Sequence, residues 1–221
     1  RDFNFIKDRL IVDDEKNTLS LVITVDEGEK YKYRNFTFEG NKIASSDELE
    51  TLLGLQEGDS YSKEDFEKAV FENMMSIYND KGYIFSNVNP EILPVDDNLL
   101  DINFLFNEGK KVYINNIFVS GNEKTRENVI RRELKLFPGD VFSRSKLMRS
   151  QRDIWILNYF DNVIPDVSQV SDNQVDLDFI VEEKKSTQRI NANLGFTGEY
   201  GITGGAGIEF DNFMGRGQKF N

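Results

Sequence analysis

Carboxylates are the most abundant side chains in this sequence that could carry acid–base or metal chemistry. The 221 residues include 39 Asp and Glu and 27 Lys and Arg, but no His and no Cys. Without imidazole or thiol groups, a Ser-His-Asp triad, a thiolate nucleophile and the commonest zinc ligands are excluded. The remaining candidates are paired carboxylates in VDDEKN, residues 12–17, and VDDN, residues 95–98, whose closely spaced oxygens could bind calcium.

The positions of these carboxylates favour turns over a metal site. Both stretches lie between alternating apolar runs, where Asp and Asn form hairpin turns. Asp176 and Asp178 belong to the polar face of such a run, where solvation is the simpler explanation. We therefore expect no catalytic residue, no metal and no cofactor. The formal net charge of −12 also disfavours a nucleic-acid backbone or an anionic lipid surface as a partner.

Two stretches of the chain repeat each other, and a partial third copy precedes them. NFTFEGN, residues 35–41, matches NIFVSGN 81 residues later, and GDSYS, residues 58–62, matches GDVFS at the same spacing. DNLLDINFLFNEGK, residues 97–110, matches DNQVDLDFIVEEKK 75 residues later. Repetition of this kind indicates an array of similar domains. We predict the C-terminal part of one domain at residues 1–29, complete domains at 30–109 and 110–184, and a different segment at 185–221.

Each complete copy predicts the element order β-α-α-β-β. Ser45 with Glu48 fits a capping box for the first helix, and Thr125 is the candidate cap in the second copy. A Gly-Asp pair then precedes Ser62 or Ser143, each a candidate cap for a longer helix. In the first copy its apolar positions, at three- and four-residue spacing, are Phe66, Val70, Met74 and Ile77, which we expect to be buried. The last strand alternates between apolar and polar residues, as LLDINFLF and VDLDFIV, so that one face is buried. We expect an α+β fold in which a three-stranded mixed sheet packs under two helices.

Each complete copy resembles the POTRA domain, which is a scaffold rather than a catalyst. The features that carry the resemblance are present in both copies: the Gly-Asn turn, the GDxxS and NVxP stretches and the acidic last strand. The resemblance covers most of residues 30–183. It implies that the first two strands of each copy form the sheet edges, whose unpaired backbone groups can add an extended client chain. Pro90, Pro94 and Pro165 favour the alternative of a blunted edge, because proline removes a donor. The candidate client-binding residues are Ser86, Asn87, Val88, Asn89, Asn162, Val163, Ile164 and Val167.

From Gln188 the pattern changes to two runs of about ten residues, in which apolar positions alternate with small or polar ones. Such runs are typical of transmembrane β-strands. An open hairpin in lipid leaves backbone groups unpaired, so we expect the natural protein to continue into further strands beyond Asn221. The alternative is a soluble Gly-rich hairpin or a linker.

GITGGAGIEFDNFMGRGQKF, residues 201–220, resembles the opening of the barrel in BamA-type outer-membrane protein assembly factors. The Asn-Phe-x-Gly-x-Gly motif of that family is matched by Asn212, Phe213, Gly215 and Gly217. The resemblance implies that residues 30–109 and 110–184 are the two membrane-proximal POTRA domains, joined to the start of an antiparallel transmembrane β-barrel. It also implies that the first barrel strand opens as a lateral gate. The implied gate residues are Ile190, Asn191, Asn193, Leu194, Gly195 and Phe196.

The function implied by this resemblance is the non-enzymatic insertion of β-barrel proteins into the bacterial outer membrane, with the POTRA domains in the periplasm. The implied partners are unfolded outer-membrane β-barrel proteins, outer-membrane lipid around the barrel, and accessory lipoproteins. Arg131 and Arg132 are candidates for docking a lipoprotein, although an exposed helix face is the simpler interpretation. Trp155 is expected to pack a helix on the sheet, with docking of a lipoprotein as the alternative. The alternatives are a related protein-secretion transporter and a soluble POTRA-like scaffold.

Overall fold

Six stretches of the chain are described by the computed structural model: residues 4–13, 18–26, 30–95, 98–186, 188–198 and 201–219. The chain divides into two units, one of residues 1–77 and 87–108 and the other of residues 78–86 and 109–221. Residues 14–17 and 96–97, which hold most of the Asp-rich turns predicted from the sequence, lie outside the described residues.

The first unit contains a two-stranded hairpin and a three-stranded sheet. Strands β1 (Asn4–Asp13) and β2 (Thr18–Asp26) pair antiparallel. Strands β3 (Lys32–Glu39) and β4 (Asn87–Val95) flank β5 (Leu99–Asn107), with β3 parallel and β4 antiparallel to it. The helices between β3 and β4 are α1 (Ser46–Leu53), α2 (Lys63–Glu67), a π-helix (Lys68–Met74) and α3 (Ser76–Asp80), and α3 continues into the second unit.

The core of the first unit follows from the alternation along its central strand. Leu100, Ile102 and Phe104 of β5 are at most 4% exposed. Helix α1 begins with the expected capping box, in which Ser45 and Glu48 each bond the backbone N–H of the other. Local capping and strand alternation therefore agree with the packing.

The long helical stretch of the first unit departs from a simple 3.6-residue period. Phe66, Val70 and Met74 are buried as the sequence predicts. The Met75 N–H bonds the oxygen of Val70, five residues back, as in a π-helix. The extra residue in this turn rotates the following side chains, so Ile77, which a regular helix would bury, is only partly buried.

The second unit repeats this sheet and adds a second hairpin. Strands β6 (Tyr113–Ser120) and β7 (Phe160–Ser171) flank β8 (Gln174–Glu183), with β6 parallel and β7 antiparallel to it. Helix α4 (Glu127–Arg131) contacts β6, and α5 (Arg144–Ile156) contacts β7. The predicted α+β arrangement of a three-stranded mixed sheet with helices is confirmed in both units.

The core of the second unit also follows the predicted alternation. Alternate apolar side chains of β8 are buried under the helices, and the buried apolar side chains of α5 recur on the side that meets the sheet. The buried members of these two sets are Val175, Leu177, Phe179, Val181, Leu147 and Ile154.

Two details of the second unit contradict the sequence predictions. Helix α4 has its N-cap at Arg126, which makes no side-chain capping bond, so the prediction that Thr125 caps this helix is wrong. Thr125 is instead buried, at 3% exposure. Trp155 is 59% exposed and does not pack the helix on the sheet. Ile154, its neighbour on α5, fills that position with 0% exposure.

Strands β9 (Gln188–Thr197) and β10 (Gly201–Phe210) form the second hairpin, and a short 3₁₀ turn (Phe213–Gly215) follows it. The strand bounds coincide with the two alternating runs of the sequence. In the part of the chain that the structure describes, no helix is long and apolar enough to span a membrane.

Candidate functional site

The edge strand β7 has part of its outer side occupied by its own unit. In an antiparallel strand, the N–H and C=O of one residue point to the same side, and alternate residues face outward. The Val163 N–H donates to Asn162 Oδ1 at 2.9 Å, and the Val163 oxygen accepts from Gln151 Nε2 at 2.7 Å. Pro165, the next outward residue, has no N–H. The outer side of β7 is therefore capped as far as Pro165, and Val167 is the next outward position.

The edge strand β4 is blunted by proline. Pro90 and Pro94 alternate along β4 with Val88 and Ile92, so the backbone groups of these four residues point to the same side of the strand. Proline is tolerated in a strand where its missing N–H faces away from the ladder. The outer side of β4 therefore keeps N–H donors only at Val88 and Ile92. Of the other sequence candidates, Ser86 precedes this strand, while Asn87 and Asn89 have the parity that faces β5.

The β9–β10 hairpin has one apolar face and one small, polar face. Apolar residues pair across the strands, with Phe196 opposite Ile202 and Ile190 opposite Ile208. At two of the intervening positions Asn opposes Gly, with Asn191 opposite Gly207 and Asn193 opposite Gly205. The exposed fractions of Ile190, Leu194, Phe196, Ile202 and Ile208 lie between 54% and 87%. A continuous exposed apolar face of this kind requires an apolar environment or a partner.

The motif residues form a tight turn directly after β10. Asn212 has the left-handed conformation, with φ 57° and ψ 45°, and Met214 has φ 52°. The Asn212 side chain closes the turn, because its Oδ1 accepts from the Gly217 N–H at 2.8 Å. Gln218 O accepts from the Phe213 N–H at 2.8 Å. The motif therefore specifies a local backbone shape.

This turn is docked onto the loop that precedes α4. Asn212 Nδ2 donates to Thr125 Oγ1 at 2.7 Å. The Arg126 N–H donates to the Gly215 oxygen at 2.9 Å. The contacts at this junction were not predicted from the sequence. The residues that make them on the side of the loop are Thr125, Arg126 and Glu183.

The glycines of the motif allow the close approach. Gly215 is buried and has φ 69°, and a Cβ at this position would overlap the carbonyl oxygen of Lys124. A Cβ on Gly217, at φ 66°, would lie 2.6 Å from Arg132 Nη2 and 3.0 Å from Val129 Cγ1. Both the backbone conformation and the lack of a side chain are therefore required.

Glu183 supports the loop from the other side. Its carboxylate accepts from the Lys124 N–H at 2.8 Å and from the Thr125 N–H at 2.6 Å. Burial alone would raise the pKa of Glu183, but the hydrogen bonds from the Thr125 side chain and from these two backbone N–H groups lower it below its ordinary value. Glu183, Thr125, Asn212 and Gly217 form one connected chain of hydrogen bonds.

The first copy of the repeat lacks the motif, and the backbone N–H groups of its equivalent loop have other hydrogen-bond partners. Glu108 accepts from the backbone N–H groups of the equivalent turn, at 2.6 Å and 2.7 Å. Ala44 stands where the second copy has Thr125, so this copy has no hydroxyl there. The N-cap N–H of Ser45 is bonded by Glu48 in the first copy, whereas that of Arg126 is bonded by Gly215. In the second copy, the Gly215 oxygen of the motif thus takes the place of the Glu side chain of a capping box as acceptor for the N-cap N–H.

The Glu183 carboxylate is expected to make the stability of the second unit depend on pH, because its pKa is lowered in the folded state. A carboxyl whose pKa is lowered by folding stabilises the folded state above its unfolded value near 4.5, and this stabilisation is lost as the pH falls through the lower folded value. We therefore expect Glu183→Gln to lower the free energy of unfolding at pH 7, and the difference from the native chain to shrink towards pH 3. Chemical unfolding followed by circular dichroism at several pH values measures this.

Glu182→Gln is the matched control for this prediction, since Glu182 is the exposed neighbour on the same strand. A difference between Glu183→Gln and the native chain that stays constant from pH 7 to pH 3 would contradict the assignment.

Arg131 and Arg132 are engaged within their own unit. Arg131 Nη2 donates to the oxygen of Ile117 at 2.8 Å, and its Nε donates to Glu127 at 2.6 Å. Arg132 Nε donates to Glu133 at 3.2 Å. Both side chains are exposed, and both are bonded to groups of their own unit. These contacts favour an exposed helix face over a lipoprotein-docking site.

The comparison with known proteins agrees with the fold. Residues 31–109 and 112–184 match the POTRA family, described as surface antigen variable number repeat. The two matches cover more than half of the chain, and the chain belongs to this family.

The chain is similar to curated relatives and to solved structures whose names or titles include BamA. The outer membrane protein assembly factor BamA of Neisseria meningitidis serogroup B is 30% identical over 98% of this chain, which spans 28% of that protein. BamA from Haemophilus ducreyi lacking POTRA domains 1-3 has a TM-score of 0.72 at 24% identity, over 86% of this chain and 36% of that one. Haemophilus influenzae BamA POTRA3-5 has a TM-score of 0.65 at 22% identity, over 82% of this chain and 73% of that one.

Proposed function

We propose that this chain is part of a non-enzymatic factor that assembles β-barrel proteins in a bacterial outer membrane, with the POTRA domains in the periplasm. Residues 30–109 and 110–184 would be the two membrane-proximal POTRA domains, preceded by the end of another at 1–29. Residues 185–221 would be the linker and first two strands of the barrel. The name of the Neisseria relative supports this role.

The observation that carries the proposal is the docking of an apolar hairpin onto a POTRA domain. The exposed apolar face of β9 and β10 fits a lipid environment, and outer-membrane lipid is the partner that such a face needs. The docked motif fixes the end of β10 to the loop before α4. Under this proposal, the docked motif attaches a domain that receives unfolded chains to a membrane-spanning strand.

The first hairpin strand, β9, is the proposed lateral gate. Among the described residues, β9 pairs with β10 on one side and with no strand on the other. Its polar face carries Asn191, Asn193 and Gly195, which are poor strand formers. A weak seam at β9 could open and template a client strand, because hydrogen bonds lost from the seam are regained with the client. No nucleotide is required for such an exchange.

Unfolded outer-membrane β-barrel proteins are the proposed clients of the sheet edges. A client strand can pair with backbone groups of an edge strand whatever its sequence, which suits many clients. Val167 is the candidate residue on β7 that lies beyond the part of the outer side occupied by Asn162, Gln151 and Pro165, and we place the client edge there. Accessory lipoproteins would complete the assembly, as the resemblance implies.

Depletion of the full-length protein in its host tests the function. We expect the levels of many unrelated outer-membrane barrels to fall together, measured by quantitative proteomics of the outer membrane. A decline of a single client would instead identify a dedicated protein-secretion transporter.

Engineered cysteines test the gate, and the chain contains no Cys that would interfere. With Asn193→Cys on β9, a client carrying a Cys in its last strand should form a disulfide during assembly. Gly205→Cys, which lies opposite Asn193 on β10, is the control, because under the proposal the next barrel strand covers the outer side of β10. Equal capture at the two positions would rule out a gate at β9.

A further inference from the structure

A groove on the second unit runs between α5 and the first half of β7. It has a volume of 760 Å³, and its lining includes Met148, Arg149, Arg152, Trp155 and Val163. Trp155 is 59% exposed and Met148 47%. The groove therefore offers apolar surface next to guanidinium groups, and neither feature serves the core of the unit.

The groove is cationic although the protein is acidic. Lys146, Arg149 and Arg152 line it, and within the described part of the chain no Asp or Glu does. Helix α5 has four basic side chains and one acidic one, a net charge of +3, whereas the whole chain carries −12. The single acid, Asp153, lies 3.0 Å from Lys135 Nζ and 3.9 Å from Arg152 Nε, which leaves Lys146 and Arg149 without an acidic partner on this helix. Positive charge is thus concentrated on one helix.

The fold does not require this charge. The equivalent helical stretch of the first copy, residues 63–74, has two Lys and four acidic side chains, a net charge of −2. The two copies share the same sheet and the same helix order, so opposite charges are compatible with one fold. The basic residues of α5 are better explained by a partner than by stability.

The strand beside the groove favours recognition by side chains. The outward N–H and oxygen of Val163 are already bonded by Asn162 and Gln151, and Pro165 offers no donor. A client that binds through its backbone alone gains nothing here. Binding must come from charge and apolar contact, which selects particular residues in the partner.

We propose that this groove binds an extended acidic segment of a dedicated partner subunit. Carboxylates of that segment bond Arg149 and Arg152, and an apolar side chain of it packs against Trp155 and Met148. The proposal does not require that the β9–β10 hairpin belong to a barrel, so it can fail or hold independently of the proposed function.

Trp155 makes the test direct, because it is the only Trp in the chain. The full chain in a non-ionic detergent is titrated with a peptide of about twelve residues that alternates Glu and Leu, an extended segment of the proposed chemistry. We expect Trp155 emission to shift to shorter wavelength as the peptide binds, and the affinity to fall as salt is added. Arg149→Glu with Arg152→Glu should weaken binding about tenfold or more.

The matched control is Lys30→Glu with Lys68→Glu, which changes the net charge equally at exposed positions of the first unit. Its affinity should equal that of the native chain, and circular dichroism should show both double variants folded. Equal weakening by the control, equal binding of a Lys-Leu peptide or a neutral Thr-Leu peptide, or no change in emission would each overturn the proposal. A concentration-dependent emission shift without peptide would assign the groove to a second copy of the chain and overturn it as well.

Discussion

Phe179→Ala is expected to destabilise the second unit by about 3–5 kcal/mol, the usual cost of removing a buried aromatic ring. Phe179 is fully buried at the middle of β8, opposite Val119 on one neighbouring strand and Pro165 on the other. Domains of this size have total stabilities near the lower end of about 5–15 kcal/mol, so the variant should be largely unfolded in mild denaturant. Chemical unfolding with hydrogen exchange of the β8 amides measures the loss.

Phe137→Ala is the control for this loss, since Phe137 is 58% exposed. It should change the free energy of unfolding by no more than about 0.5 kcal/mol. The first unit has its own buried ring at Phe104, so its β5 amides should keep their protection in Phe179→Ala. Loss of protection in both units together would show that their cores unfold as one.

Much of the fold was predictable because it depends on local patterns that are repeated. Strand alternation predicted the buried faces of β5 and β8, and Ser45 with Glu48 predicted the start of α1. The prediction for Ile77 failed because a π-helix shifts the helical period, and no residue type signals that shift reliably. The prediction for Trp155 failed because apolar character does not distinguish a core position from an exposed binding surface.

The candidate site was only half visible in the sequence. The motif at residues 212–217 was recognised, but its docking surface was not, because contacts between distant segments leave no periodic signal. One signal was nevertheless present in the repeat. The first copy has Ser45 and Glu48 where the second has Arg126 and Val129, so the second copy had lost its capping box. A missing cap at a predicted helix start implies a partner from elsewhere, and Gly215 is that partner.

Gly215→Ala is expected to release the motif from the second unit. The new Cβ would overlap the Lys124 oxygen, and alanine at φ 69° adds backbone strain of roughly 1–2 kcal/mol to an overpacking cost of about 1–3 kcal/mol. The turn must then leave the loop, and the Arg126 N–H loses its acceptor. Hydrogen exchange at Arg126 should accelerate by at least about tenfold, while the β8 amides stay protected.

Gly201→Ala separates the contact from the strain, because Gly201 has φ 72° but no atom within 4 Å of the added Cβ. This control variant adds backbone strain without steric overlap. The hydrogen-exchange rate of the Arg126 amide should therefore equal that of the native chain. Under the proposed function, only Gly215→Ala should reduce the assembly of outer-membrane barrels in cells, since only it detaches the hairpin from the POTRA domain. Equal defects in the two variants would place the role of the glycines in turn conformation, and the docked contact would then have no part in assembly.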